Sequence, residues 1–302
     1  MKPAAFLPAL FLLTLAACQP AEETGAPAAT AEREASETVE APAPADAPVR
    51  LVEQWKAEGF NAPEGVAAAP GGGYFISNVA GNGNDKDGAG WVSKISETGE
   101  VLEAQFGPTT MNAPKGMVVD RGILYVADLD RIHLINPDDG TLLKTMEIDG
   151  AEALNDMTAW NATLLASDSQ GSKIWRISGD ESGIWLEDER LSGVNGLTPD
   201  GDRLLVATMA SGTLYEVNEA GDLTEIATGM ENADGIGLIE GGYLVSSWPG
   251  QVWFVSEEGK VSEVLNTQEQ GILQNDLTVF GNTVIIPNWM PGTVTAWTVE
   301  EK

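Results

Sequence analysis

A three-residue signature returns six times along this chain, and its spacing restricts the fold more than any other feature. It reads Pro63-Glu64-Gly65, Pro114-Lys115-Gly116, Leu154-Asn155-Asp156, Val194-Asn195-Gly196, Ala233-Asp234-Gly235 and Gln274-Asn275-Asp276. The central residues lie 51, 40, 40, 39 and 41 positions apart, the first interval being lengthened by a Gly/Asn/Asp-rich insertion from Gly81 to Gly90. Self-similarity at a fixed period means one structural unit stacked repeatedly, because a single unit cannot bury its own apolar faces.

Each signature is followed by short apolar runs separated by turn residues, such as Gly122-Ile123-Leu124-Tyr125-Val126-Ala127 and Asp202-Arg203-Leu204-Leu205-Val206-Ala207. A third run with alternating apolar residues follows, and in four of the units it carries Trp175, Tyr215, Trp253 and Trp297. Strands of about five residues at 8–12-residue spacing predict an all-β fold. A period near 40 with four strands per unit predicts propeller blades. The expectation is an all-β, six-bladed β-propeller with four antiparallel strands per blade. Its last blade runs out of chain after the third strand, and Val49 to Lys56 has strand character. This N-terminal strand is expected to close the ring and protect the sheet edges.

The domain boundaries follow from composition. Residues 1–17 combine Lys2, an apolar run from Ala4 to Leu15 and small residues before Cys18, which reads as an export signal. The Leu15-Ala16-Ala17-Cys18 end resembles the lipobox of bacterial lipoproteins. That resemblance implies lipidation of Cys18 and a protein anchored in the cell envelope. Gln19 after the cysteine favours the periplasmic face of the outer membrane or the cell surface. Residues 18–48, rich in Ala, Pro, Glu and Thr without aromatics, read as a flexible stalk. Residues 49–302 are expected to form the propeller. With one cysteine in the chain, neither an intramolecular disulfide nor a cysteine-based metal cluster is available. The formal net charge of −30 repels phosphate backbones and anionic lipids, which argues against nucleic acid as a partner. A small molecule is the expected ligand, with membrane contact only through the lipid on Cys18.

In a propeller, equivalent residues at the start of the innermost strands form a ring at one channel mouth. That ring reads Glu64, Lys115, Asn155, Asn195, Asp234 and Asn275. Calcium takes six to eight oxygen ligands. Glu64 and Asp234 would supply two charges, Asn155 and Asn195 two neutral oxygens; zinc would ask for His or Cys. A second ring, above the first, is expected from Asn78, Asp128, Asp168, Met209, Trp248 and Trp289 as a ligand-shaping layer. Lys115 leaves several roles open: it could repel a cation, replace one beside Glu64, point away, or orient an anionic substrate. The Asn82 to Gly88 insertion reads as a lid, and the single histidine, His133, as a blade-packing residue.

The set Glu64, Asn155, Asn195 and Asp234, with Val194-Asn195-Gly196-Leu197-Thr198-Pro199-Asp200-Gly201 and Ala233-Asp234-Gly235 as its local matches, resembles the senescence marker protein/gluconolactonase family. It is similar too to the calcium-bound propellers diisopropyl fluorophosphatase and the paraoxonases. The resemblance covers roughly residues 50–300. It implies one divalent cation, calcium foremost, and metal-assisted hydrolysis of a lactone, ester or phosphoester. Asp234 is then the candidate base, with a purely ligating role as the alternative. The sugar lactonases carry an arginine where this chain has Ala153, which argues against an aldonolactone. A non-catalytic ligand-binding or scaffold propeller of the NHL-like kind, and a strictosidine-synthase-like propeller, are the other readings.

Overall fold

The computed structural model describes residues 47–302. The export segment, Cys18 and most of the stalk therefore lie outside the described residues. Ala47 is buried and the Pro48 carbonyl accepts from Lys302 N at 2.9 Å, so both residues pack with the propeller.

The described chain is a six-bladed β-propeller. Blade 1 holds β2 (Pro63–Ala68), β3 (Tyr74–Asn78), β4 (Gly90–Ile95) and β5 (Val101–Met111). Blade 2 holds β6 (Pro114–Asp120), β7 (Ile123–Asp128), β8 (Arg131–Ile135) and β9 (Leu142–Glu147). Blade 3 holds β10 (Leu154–Trp160), β11 (Thr163–Asp168), β12 (Lys173–Ser178) and β13 (Glu181–Glu187). Blade 4 holds β14 (Val194–Asp200), β15 (Arg203–Thr208), β16 (Thr213–Val217) and β17 (Leu223–Ala227). Blade 5 holds β18 (Ala233–Ile239), β19 (Gly242–Ser247), β20 (Gln251–Ser256) and β21 (Val261–Asn266). In blade 6 the innermost strand is split into β22 (Leu273–Gln274) and β23 (Thr278–Phe280), followed by β24 (Thr283–Met290) and β25 (Thr293–Glu301). Its outer strand is β1 (Val49–Glu58), antiparallel to β25.

Six apolar clusters fill the spaces between successive blades. Leu204 packs toward blade 3 with Trp160, Ile174 and Leu197, whereas its neighbour Leu205 packs toward blade 5 with Ile236, Tyr243 and Val245. Ile285 and Ile286 divide in the same way between blade 1 and blade 5. Successive residues of a strand point to opposite faces. A strand buried on both faces therefore reads as an unbroken apolar run, which is why the second strands show no alternation.

Closure rests on β1. Leu51 is buried with Val284, Ile286 and Trp297 of blade 6. Trp55 reaches the other way, packing beside Tyr74 and Ile95 and donating Nε1–H to the Glu97 carbonyl of blade 1 at 3.0 Å. Without this strand, β25 would present an unpaired edge. A chain beginning at Ala47 is expected to melt cooperatively. One beginning at Gly59 should lose at least about 10 °C in Tm and self-associate. Circular dichroism melting and size-exclusion chromatography check this, and equal melting of the two chains would contradict it.

Candidate functional site

The signatures do their work through bulges. In blades 1 to 5 the register slips between Pro63 and Val66, Pro114 and Met117, Leu154 and Met157, Val194 and Leu197, and Ala233 and Ile236. The central signature residue and its successor thus have no cross-strand partner, and a bulge re-aims the side chains it carries. Serine hydroxyls take up freed backbone N–H groups: Ser77, Ser167 and Ser246 Oγ accept from Gly65, Asp156 and Gly235 N at 2.7, 2.8 and 2.8 Å. In blade 6 the inner strand breaks at the same place, and Asn275 N donates to the Pro287 carbonyl at 3.0 Å.

The result is a cavity of about 380 Å³ at one end of the channel. All six central residues, Glu64, Lys115, Asn155, Asn195, Asp234 and Asn275, line it. Gly83 and Asn84 of the insertion line it as well, together with Met209, Trp248 and Trp289. The two indoles meet edge to face, 6.0 Å between ring centroids. Trp289 continues into a small apolar cluster with Ala62, Val79, Ala113 and Leu129.

The second ring expected from the sequence divides in two. Asn78, Asp128 and Asp168 do not line the cavity. Each ends a second strand, pairs with the first residue of the signature, and is fully buried. Their true equivalents in blades 4 and 5 are Thr208 and Ser247, paired with Val194 and Ala233. Met209 and Trp248 lie one residue further on, and one step along a strand reverses the side chain's direction.

Those buried carboxylates serve the scaffold. Asp168 accepts from Glu152 N, Ala153 N, Gly171 N and Trp175 Nε1 at 3.0, 2.8, 3.0 and 3.0 Å. Asp128 accepts from Asn112 N and Ala113 N and pairs with His133 Nε2 at 2.9 Å, while His133 Nδ1 meets Thr145 Oγ1 at 3.0 Å. Burial pushes the Asp128 carboxyl up, but His133 and the two backbone N–H groups outweigh it and hold the group below its usual range. His133 thus lies in β8, tied to its own blade.

The mouth is different. Glu64 and Asp234 are 4% and 2% exposed. Among the described residues no donor hydrogen-bonds either carboxylate, and no cation stands within 4.0 Å of them. Burial pushes Asp234 up to about 7, reinforced by Asp156 and opposed by Lys115. Burial also drives Glu64 well above the ordinary carboxylate range, against the attraction of Lys115. Lys115 is 8% exposed and donates Nζ–H to the Gly83 carbonyl of the insertion at 2.6 Å. Burial lowers its pKa while Glu64, Asp128 and Asp234 pull it back up. Asn195 turns its Nδ2 to Met209 Sδ at 3.4 Å, which leaves its Oδ1 without a donor among the described residues.

Two acidic residues escaped the sequence reading. Asp156 and Asp276 take the third signature position, where the other four blades have glycine. They line a second cavity of about 300 Å³, further down the channel. Asp156 accepts from Leu197 N and Met157 N at 2.7 Å each, yet burial still raises it to about 7. Burial and the charges of Asp156, Asp234 and Glu64 hold Asp276 well above its usual value. The signal was present in the repeat itself, as the substitution of Asp for Gly in blades 3 and 6.

The oxygen atoms that the mouth could offer a divalent cation are those of two buried carboxylates without hydrogen-bond donors and of the amides of Asn155, Asn195 and Asn275; the Lys115 ammonium and Met209 line the same cavity. This donor set fits a hard cation. No three His, Cys, Asp or Glu side chains cluster as metal ligands among the described residues, so amide oxygens would have to share the coordination.

No protein family and no curated protein matches the sequence. Solved structures match the fold. A gluconolactonase from Xanthomonas campestris superposes with TM-score 0.61 at 17% identity, over 83% of this chain and 90% of that one. A catalytically inactive virginiamycin B lyase from Staphylococcus aureus gives 0.58 at 16%, over 83% and 98%. The PQQ-bound aldose sugar dehydrogenase from Streptomyces coelicolor gives 0.64 at 15%, over 86% and 100%. Identities this low establish common architecture.

Two outcomes follow. The raised carboxylates bind protons more tightly folded than unfolded. Their stabilising share is therefore complete below the usual carboxylate range, near pH 4, and lost as pH rises through about 7. Chelated protein should melt lower at pH 8 than at pH 5.5, and calcium should narrow the gap; a pH-independent Tm under chelation would contradict this. Separately, Asp168→Ala strands several buried donors and should cost more than about 3 kcal/mol in urea unfolding. Trp289→Ala, at the half-open rim, should cost clearly less.

Proposed function

We propose that the mouth holds one divalent cation, calcium in preference to zinc, and that the protein is a metal-dependent hydrolase of a lactone, ester or phosphoester. The observation that carries this reading is the pair of buried carboxylates, Glu64 and Asp234, facing one cavity without a hydrogen-bond donor or ion-pair partner. Burial without a partner holds both groups toward the neutral acid, and a cation shared with the neighbouring amides would let them ionise. Glu64, Asn155, Asn195 and Asp234 would hold it, with Asn275 at hand. When bound, such an ion polarises a carbonyl or phosphoryl oxygen and stabilises the charge that develops there.

The remaining work falls to the chain. Asp234, kept basic by its burial, is the group placed to take a proton from water, through one carboxylate oxygen. Trp248, Trp289 and Met209 form an apolar wall that receives the non-reacting part of the substrate. Gly83 and Asn84 cover the mouth and limit water. The gluconolactonase among the structural matches agrees with a hydrolase. Ala153 in place of the sugar lactonases' arginine directs the substrate away from polyhydroxylated lactones.

Elemental analysis of the purified chain is expected to find about one divalent cation per chain. Glu64→Gln and Asp234→Asn should each weaken it at least about 100-fold and abolish chelator-sensitive turnover on a panel of lactones, aryl esters and phosphotriesters. Full cation occupancy with no turnover on any member of the panel would falsify the hydrolase and leave a binding propeller.

A further inference from the structure

Lys115 is the one cationic side chain among the described residues lining the mouth cavity. It carries three N–H donors. The structure gives it one acceptor, the Gly83 carbonyl at 2.6 Å, and no ion pair within 4.0 Å. Glu64, Asp128 and Asp234 act on it only through their field, from beyond ion-pair distance, so two of its three N–H donors have no acceptor among the described residues.

Gly83 sits between two features of the cavity. A Cβ at this position would stand 3.9 Å from Lys115 Nζ and 3.8 Å from Trp289 Cη2. The lid residue therefore occupies the space that joins the ammonium on blade 2 to the aromatic wall on blades 5 and 6. Its other ties are thin. Gln170 Nε2 donates to Asn84 Oδ1 at 3.1 Å, and Lys86 pairs with Asp130 at 2.5 Å, both at the surface. Exposed contacts of this kind contribute little, so the segment can be displaced at small cost.

We propose that the Gly83 carbonyl holds the place of an anionic oxygen: the ligand of this site carries a carboxylate or phosphoryl anion that binds Lys115, and an apolar body that lies against Trp248 and Trp289. The lid segment gives way as the anion enters. Charge-assisted hydrogen bonds are roughly twice as strong as neutral ones, so exchanging a carbonyl for an anion favours the ligand. The acidic body repels anions at long range, and this makes the local ammonium the determinant of which anions enter. The inference rests on the reading of the mouth as a ligand site, and the identity of the cation does not enter it.

The test uses the full chain with calcium present, and tryptophan fluorescence as readout. Phenylacetate, phenylphosphonate and the neutral phenylacetamide are titrated in parallel. At least one anion is expected to bind about tenfold tighter than the amide, and the stronger of the two tells carboxylate from phosphoryl recognition. Lys115→Met should remove that preference while leaving amide binding unchanged, and Lys115→Arg should keep most of it. Equal affinity for anions and amide in the unmodified chain overturns the proposal, as does an undiminished preference in Lys115→Met. If Lys115→Met does not fold, Lys115→Gln takes its place, and an anion preference that survives in it overturns the proposal. Cation content and turnover are measured separately. Turnover without anion preference sinks this inference alone, and anion preference without turnover sinks the hydrolase alone.

Discussion

The closeness of the inner strands at the channel axis governs the rest of the molecule. A Cβ on Gly65 would lie 2.5 Å from the Lys115 carbonyl oxygen, and one on Gly196 would lie 2.3 Å from that of Asp234. No side chain fits at these positions, so neighbouring blades meet backbone to backbone. Where blades 3 and 6 carry Asp instead, the preceding blade makes room: a Cβ on Gly116 would lie 2.4 Å from the Asp156 Cα, and one on Gly235 would lie 1.9 Å from Asp276 Oδ1. The four glycines and two aspartates therefore form one packing arrangement. It draws six signatures into a narrow ring, and the residue before each glycine or aspartate is left at the mouth.

A ring so tight concentrates charge. Four carboxylates, Glu64, Asp156, Asp234 and Asp276, are held within one another's field at the channel, and Lys115 is the cation that acts on Glu64 and Asp234. The scaffold acids have a different fate. Asp128 and Asp168 are equally buried, yet they are surrounded by backbone N–H groups and a ring nitrogen, so their charge is used up in holding loops. Burial alone does not distinguish the mouth carboxylates Glu64 and Asp234 from those that hold loops; the absence of hydrogen-bond donors does. This contrast is what singles out the mouth.

Much of the architecture was legible in the chain. The period near 40, the triple runs of strand residues and the spare segment at Val49 to Lys56 led to six blades and to closure by the N-terminal strand, and the fold agrees. Lysine at 115 stood out as foreign to an oxygen-rich ring, but its partner did not, because Gly83 lies in an insertion whose path has no periodicity to follow. The second ring failed for a specific reason. Asn78, Asp128 and Asp168 stand at strand ends as Met209, Trp248 and Trp289 do, and a shift of one residue separates a clamp from a cavity wall.

The sequence by itself determined what repeats: local strand propensity, turn residues and a polar triplet are properties of short segments, and their recurrence is enough to specify blade number and ring membership. The tertiary structure decided what each polar residue is for. That depends on whether donors from other blades reach it, on bulges that turn Glu64 and Asp234 toward a shared cavity, and on an insertion carbonyl that meets Lys115 from 32 positions away. Such relations are made by ring closure, which brings distant segments into contact, and no window of sequence contains them.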